Sequence, residues 1–225
     1  VRHSAICGAL SREELTGLNR ISQRKVLKRG QVYLLEGDAA REYANVVAGV
    51  GKLIRGAPDG RTQIVGLLFP SDFIGTYEKQ RSDRPEAYTI EAATDLEICS
   101  FPRQKFSQLT DVHPALEAKI LARTIDELQL ARDWMVLLGR KTASERVATF
   151  LLYVADKSAT NGCGSRTGSF ELPLSRADIA DHIGLTIETV SRQMTEFRKS
   201  GALEIDGARQ ITRYDRAALV DAAGF

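Results

Sequence analysis

The chain has 225 residues, 31 Lys+Arg against 29 Asp+Glu for a formal net charge of +2, and 43% apolar residues. That length suits one large domain or two modest ones, and no apolar run approaches the ~20 residues of a membrane span. The near-neutral charge excludes a polycationic coat for nucleic acid, although a DNA reader needs only local positive charge. No secretory signal pattern opens the chain, and Cys7, Cys99 and Cys163 are too scattered for a disulfide framework. A cytoplasmic location is therefore expected.

In chain order, Ser11 with Glu14 three residues on predicts a capping box and a helix over Ser11 to Ser22. From about Val26 to Pro102 the texture is short and alternating. Strands are predicted over Gln31–Leu35, Val46–Ala48, Lys52–Ile54, Gln63–Phe69, Tyr88–Ala92 and Glu97–Phe101. Gly30, Gly37, Gly49, Gly51, Gly56, Pro58-Asp59-Gly60 and Pro70 punctuate them as turns. So many short strands argue for an antiparallel barrel or jelly roll.

Pro114 opens a helix running to about Leu138 with two apolar stripes. Ile120, Leu130, Trp134 and Leu137 make one, expected to pack on the barrel. Leu121, Thr124, Leu128, Ala131, Met135 and Leu138 make the other, at the spacing of a two-stranded coiled-coil seam. A helix buried on both sides inside one domain would show the same stripes. A run of ~25 residues spans nearly 40 Å, however, and would overrun a small barrel.

Gly139-Arg140-Lys141 is expected to break this helix. Another is predicted from Thr142 to about Ser158, then a Gly/Ser loop over Ala159 to Ser169 and a short strand over Phe170–Leu174. Ser175 to Gly201 reads as a helix-turn-helix. Ser175 is an N-cap, Ile179, Ala180 and Ile183 give an apolar face, Gly184 breaks the pattern, Leu185 plugs the corner and Thr186 caps a second helix. In that helix Ile187, Val190, Met194 and Phe197 form the inward stripe. Glu188, Ser191, Arg192 and Thr195 share the opposite face, where Arg can bond guanine and Glu can accept from cytosine. Thr186, Ile187 and Arg176 join them as candidate DNA contacts. The same spacing also suits a solvated face on an ordinary helix pair. Strands over Ala202–Ile205 and Gln210–Thr212, joined at Asp206-Gly207, would form a wing, and Arg176, Arg192, Arg198, Lys199, Arg209 and Arg213 supply local charge.

The expected fold is thus α+β: an N-terminal antiparallel β jelly roll over 1–111, a dimerisation helix over 112–138 and a C-terminal winged helix-turn-helix over 139–225. This order resembles the cyclic-AMP receptor/fumarate-nitrate regulator (CRP/FNR) family of bacterial transcription regulators. IGLTIETVSR (Ile183–Arg192) and GRKTASERVATFL (Gly139–Leu151) are similar to its FNR branch, especially FnrL-like and FixK-like members. The resemblance implies an E-x-x-S-R reading face at Glu188, Ser191 and Arg192, half-sites of the TTGA type in palindromic double-stranded DNA, a homodimer, and contact with RNA polymerase. The polar loop Glu78 to Glu86 is the candidate polymerase surface.

The resemblance also frames the signal. The stretch matching a cyclic-nucleotide cassette, Phe73 to Tyr77 and Arg84 to Ala87, lacks the turn Glu and places Glu86 where a Ser would bond phosphate. A carboxylate facing a phosphate is unfavourable, so cyclic AMP is not expected. The oxygen-sensing branch holds a [4Fe-4S] cluster on four thiolates. Cys99 resembles its barrel ligand and Cys7 the last of its N-terminal set, with two further ligands expected upstream of Val1. Alternatively Cys99 is a small buried strand residue and the regulator is FixK-like, without a cluster; a haem- or nitric-oxide-responsive one also stays open. Cys163 is given no role, and His3 is read as a solvated terminal side chain. Ala131 stands in the seam where such cluster regulators often carry an Asp. A cupin-type metal enzyme is disfavoured, because His3, His113 and His182 all lie outside the strand-rich stretch. A binding module without DNA would leave the Glu188–Arg192 face unexplained.

Overall fold

The structure, a computed structural model, describes residues 8, 10–39, 41–75, 85–160 and 168–224. It divides into two units, 1–129 and 130–225. In the first, helix α1 (Arg12–Ile21) precedes eight strands: β1 (Gln23–Leu27), β2 (Val32–Leu34), β3 (Glu42–Ala48), β4 (Gly51–Gly56), β5 (Thr62–Leu68), β6 (Phe73–Ile74), β7 (Thr89–Ala92) and β8 (Leu96–Pro102). They form two antiparallel four-stranded sheets, ordered β1-β8-β3-β6 and β2-β7-β4-β5, as a jelly roll requires. The strands match the expected ones within a few residues, but β1 and β6 carry no alternation and were not anticipated. Gly49 joins β3 to β4 at φ +80, where an added Cβ would lie 2.0 Å from the Asp95 carbonyl, so only glycine fits.

Strands β8, β3 and β6 of the first sheet are mostly buried, with core residues on both faces. Ala44, Val46, Ile74, Leu96 and Ile98 meet Leu68, Ile90 and Ala92 of the second sheet in one core. Tyr43, Phe73 and Phe101 point the other way, onto Leu10, Leu18, Phe106, Leu116 and Ile120. This second core is covered by α1, by helix α2 (Arg103–Val112) and by the start of helix α3 (Pro114–Arg140). Its rings meet at centroid distances of 5.3–5.9 Å in tilted and edge-on pairs, the arrangement their quadrupoles favour.

Helix α3 continues through Gly139 and ends at Arg140, so the break falls at the end of the expected tripeptide, with the turn at Lys141-Thr142. Its first stripe departs from expectation. Ile120 packs with the roll, but Trp134 packs on Tyr153 and His182 of the second unit, at centroid distances of 5.5 and 4.4 Å. The second stripe is exposed, with Leu121, Leu128 and Met135 at 61, 50 and 72%. Leu138, at its end, is half-buried.

The second unit is built on helix α4 (Ala143–Thr160), whose Val147, Phe150, Leu151 and Val154 are fully buried. Strand β9 (Phe170–Glu171), helices α5 (Arg176–Ile183) and α6 (Ile187–Lys199), strands β10 (Leu203–Asp206) and β11 (Gln210–Tyr214), and helix α7 (Arg216–Ala223) follow. The strands form a three-stranded sheet ordered β10-β11-β9. No described helix is long and apolar enough to cross a membrane.

Candidate DNA-reading surface

Two caps and a turn fix the helix-turn-helix. The Ser175 hydroxyl accepts from the Asp178 amide at 3.1 Å while the Asp178 carboxylate accepts from the Ser175 amide at 3.1 Å, a reciprocal box that starts α5. Gly184 ends it in the left-handed region at φ 63, and the Leu185 amide reaches back to the Ala180 carbonyl at 3.0 Å. Thr186 then caps α6, accepting from the Thr189 amide at 3.3 Å.

A guanidinium locks this turn from behind. Arg146 Nη1 donates to the carbonyls of Ile183 (3.1 Å) and Gly184 (3.2 Å), Nη2 to Leu138 (2.8 Å) and Nε to Lys141 (2.9 Å). One side chain of α4 therefore satisfies the orphan carbonyls at the ends of both α3 and α5. Sequence reasoning missed this role; the only hint was a basic residue one helical turn after a predicted helix break.

Val190, Met194 and Phe197 hold α6 on the core. Ile187 does not join them: it is 44% exposed, because the first turn of α6 projects beyond the packed face. Glu188, Ser191 and Arg192 are exposed and Thr195 half-exposed. The Glu188 carboxyl is held below the usual range by its own backbone amide and the Thr186 hydroxyl, so it presents acceptors only. Arg209 reaches the Pro173 carbonyl at 3.4 Å and Arg213 pairs with Glu204 at 2.7 Å, so both are engaged by the protein. Arg176, Arg192, Arg198 and Lys199 make no side-chain bond with another described residue.

In the roll, the loop residue Glu86 is paired with Arg103 of α2 at 3.1 Å, both side chains being over nine-tenths buried. Arg103 also lies over the Tyr43 ring, 4.5 Å from its centroid. The carboxylate expected to repel a phosphate thus has a cation of its own. Burial raises the Glu86 pKa, against the pull of Arg103. Arg84, Thr76 and Tyr77 lie outside the described residues, as does most of the Glu78 to Glu86 loop.

Cys99 sits in β8 between Arg24 of β1 and Asn45 of β3, part-buried against the aromatic core. Cys7, Cys163 and His3 lie outside the described residues. A [4Fe-4S] cluster takes four thiolates, and no group of three or more His, Cys, Asp or Glu that could hold a metal occurs among the described residues. The described residues do not by themselves fit a cluster.

A roll built as two antiparallel sheets, followed by a long helix and a winged helix-turn-helix with an exposed, cation-bearing second helix, defines a DNA-binding transcription regulator. Residues 24–113 match the cyclic nucleotide-binding domain and residues 145–222 the Crp-like helix-turn-helix domain. The chain is similar to the transcriptional activator protein FnrL of Cereibacter sphaeroides, 39% identical over all of this chain and 90% of that protein. It is also similar to the nitrogen fixation regulation protein FixK of Bradyrhizobium diazoefficiens, 38% identical over 91% of this chain and 84% of that one. Among solved structures, FixK2 from Bradyrhizobium japonicum superposes with a TM-score of 0.80 at 33% identity, covering 90% of this chain and 97% of that one. The chain belongs to the CRP/FNR family, in its FNR branch, and is a regulator rather than an enzyme.

Proposed function

We propose that this protein is a cytoplasmic regulator that binds a TTGA-type palindrome as a homodimer and controls genes of low-oxygen metabolism. The observation that carries the DNA reading is the exposed Glu188-Ser191-Arg192 face, with Arg192 free of any described partner. Arg192 bonds guanine O6 and N7, Glu188 accepts from cytosine N4, and exposed Ile187 suits the methyl group of thymine. Thr186, Ser191, Thr195 and Arg176 flank them. The exposed stripe through Leu121, Thr124, Leu128, Ala131, Met135 and Leu138 pairs with its copy, setting two reading helices one DNA turn apart. The roll over 1–111 serves as sensor, 112–138 as dimerisation helix and 139–225 as DNA-binding domain, with activation through contact with RNA polymerase.

The signal is oxygen rather than cyclic AMP. In the roll, the Glu86–Arg103 pair already satisfies the charge that a nucleotide phosphate would seek. Similarity to FnrL and the placement of Cys99 support a [4Fe-4S] cluster, which requires two thiolates beyond Cys7 and Cys99. Similarity to the FixK relatives favours a second reading in which the same regulator works without a cluster. Iron and acid-labile sulfide in native-length protein purified without oxygen decide between them: about four of each per monomer, bleached by air, supports the cluster, and a colourless protein supports the second reading.

For the DNA reading, Arg192→Ala is expected to lose about 1–3 kcal/mol on the palindrome and to relax the choice at the guanine it reads. Fluorescence anisotropy with duplexes changed one base pair at a time measures both. An unchanged ratio of specific to scrambled affinity would sink the assignment.

A further inference from the structure

We infer that Trp134 and His182 are positioning residues that set which spacing of DNA half-sites the protein accepts. The inference rests on the dimer and DNA readings above and names the contact that carries one to the other. That contact lies wholly within the second unit, which takes in the last turns of α3 from Leu130 onward.

Those turns carry two stripes on one rod. Trp134 and Leu137 each precede a seam residue, Met135 and Leu138, by one position, so the stripes lie about 100° apart around the helix. Met135 is exposed, whereas Leu137 is buried. Trp134 meets the His182 ring of α5 at a centroid distance of 4.4 Å, tilted by 56°, and the Tyr153 ring of α4 edge-on at 5.5 Å. His182 is itself buried and meets Phe150 of α4 edge-on at 5.9 Å. Rings from α3, α4 and α5 thus interlock at one place.

His182 stands in the last turn of α5, just before Gly184 and the Thr186 cap that starts α6. The seam reaches the same turn: Leu138 Cδ2 lies so near Gly184 that a Cβ added there would be 3.2 Å from it. The Trp134–His182 contact therefore joins the helix that pairs two copies to the turn that aims the reading helix.

Aromatic plates suit this task. Tilted and edge-on ring contacts specify an angle as well as a distance, and an aromatic side chain has only two torsions to fix. An aliphatic residue would fill much of the space without fixing the angle. The angle matters because each base pair of DNA adds a step of ~3.4 Å and a rotation of ~35°. A reading helix free to swing by that much relative to α3 would accept half-sites one base pair nearer or farther, and a clamped one would not.

The test compares the parent with W134L, H182L and W134F on a series of TTGA palindromes whose centre is lengthened one base pair at a time, on a single half-site and on a scrambled duplex. The parent is expected to prefer one spacing sharply. W134L and H182L should narrow that preference by roughly 2- to 30-fold while leaving half-site affinity unchanged. W134F keeps a ring against His182 and should retain most of the preference. Circular dichroism sets a temperature at which each variant is folded, and H182L removes the other ring of the pair, so it reports even where W134L does not fold. A loss of equal proportion on every duplex, half-site included, would make the rings ordinary core and overturn the inference, as would an undiminished preference in both leucine variants. A parent that favours the palindrome equally at every spacing would overturn this inference alone. A parent that binds palindrome and scrambled duplex alike would count against the DNA reading, and the inference would fall with it.

Discussion

Glu188 and Arg103 show how far single side chains can be read before the fold is known. The helical spacing of Glu188, Ser191, Arg192 and Thr195 was enough to place them on one exposed face, because a 3.6-residue period is a local property. The partnership of Glu86 with Arg103 was not legible, since the two meet only when β8 and α2 fold beside the loop that carries Glu86. That pair makes a stability prediction. Arg103→Ala leaves the Glu86 carboxylate buried without its cation, at an expected cost of about 3–5 kcal/mol near neutral pH. Burial raises the Glu86 pKa, so the folded protein binds more protons than the unfolded chain between the ordinary and the raised value. Stability of the variant should therefore rise as pH falls through that window, where the parent, with Arg103 restraining the shift, rises less. Chemical denaturation across pH 4 to 8 measures it, and a pH-independent difference would contradict the assignment.

At the scale of elements, strength of periodicity decided what could be foreseen. The strands of the roll alternate between two environments, and α3 to α6 carry caps or stripes. Strand β1, QRKVL, is a mostly exposed edge strand whose two apolar residues, Val26 and Leu27, are adjacent, so no alternation marks it. Helix α2 begins after Pro102 with no side-chain cap and buries few apolar groups. Helix α7 does carry a local signal: Asp215 accepts from the Ala218 amide, an ordinary N-cap before an Ala-rich run that ends at Gly224. Gly139 failed to stop α3 because an isolated glycine costs a helix only ~1 kcal/mol. Arg146 holds the carbonyls on either side of it, of Leu138 and Lys141, which offsets that cost. Arg146→Ala should therefore cost about 2–3 kcal/mol, from carbonyls left without a charged donor. It should also lower specific DNA affinity more than stability alone accounts for, because the turn before α6 loosens. Calorimetry paired with binding at a temperature where the variant is fully folded checks both, and normal DNA discrimination in the variant would remove Arg146 from any positioning role.

For the whole molecule, the order of roll, helix and winged helix was visible in the sequence because each part announces itself by a different period. What the sequence left open is how the parts act together. Leu121, Ile125, Leu128, Met135 and Val136 expose apolar surface along one helix, more than scattered chance would leave, and a second copy would bury it. Leu128→Asp places like charges across the seam and should raise the dimer dissociation constant by at least about 100-fold, read by sedimentation velocity. With Ala131 rather than an acid at its centre, the proposed seam would carry no built-in repulsion at that position. The most direct measurement is a titration of the intact protein against a full TTGA palindrome, a single half-site and a scrambled duplex at one salt concentration. The account predicts that two copies bind the palindrome at least about 1,000-fold more tightly than the scrambled duplex, with the half-site far weaker. Equal affinity for all three would contradict it.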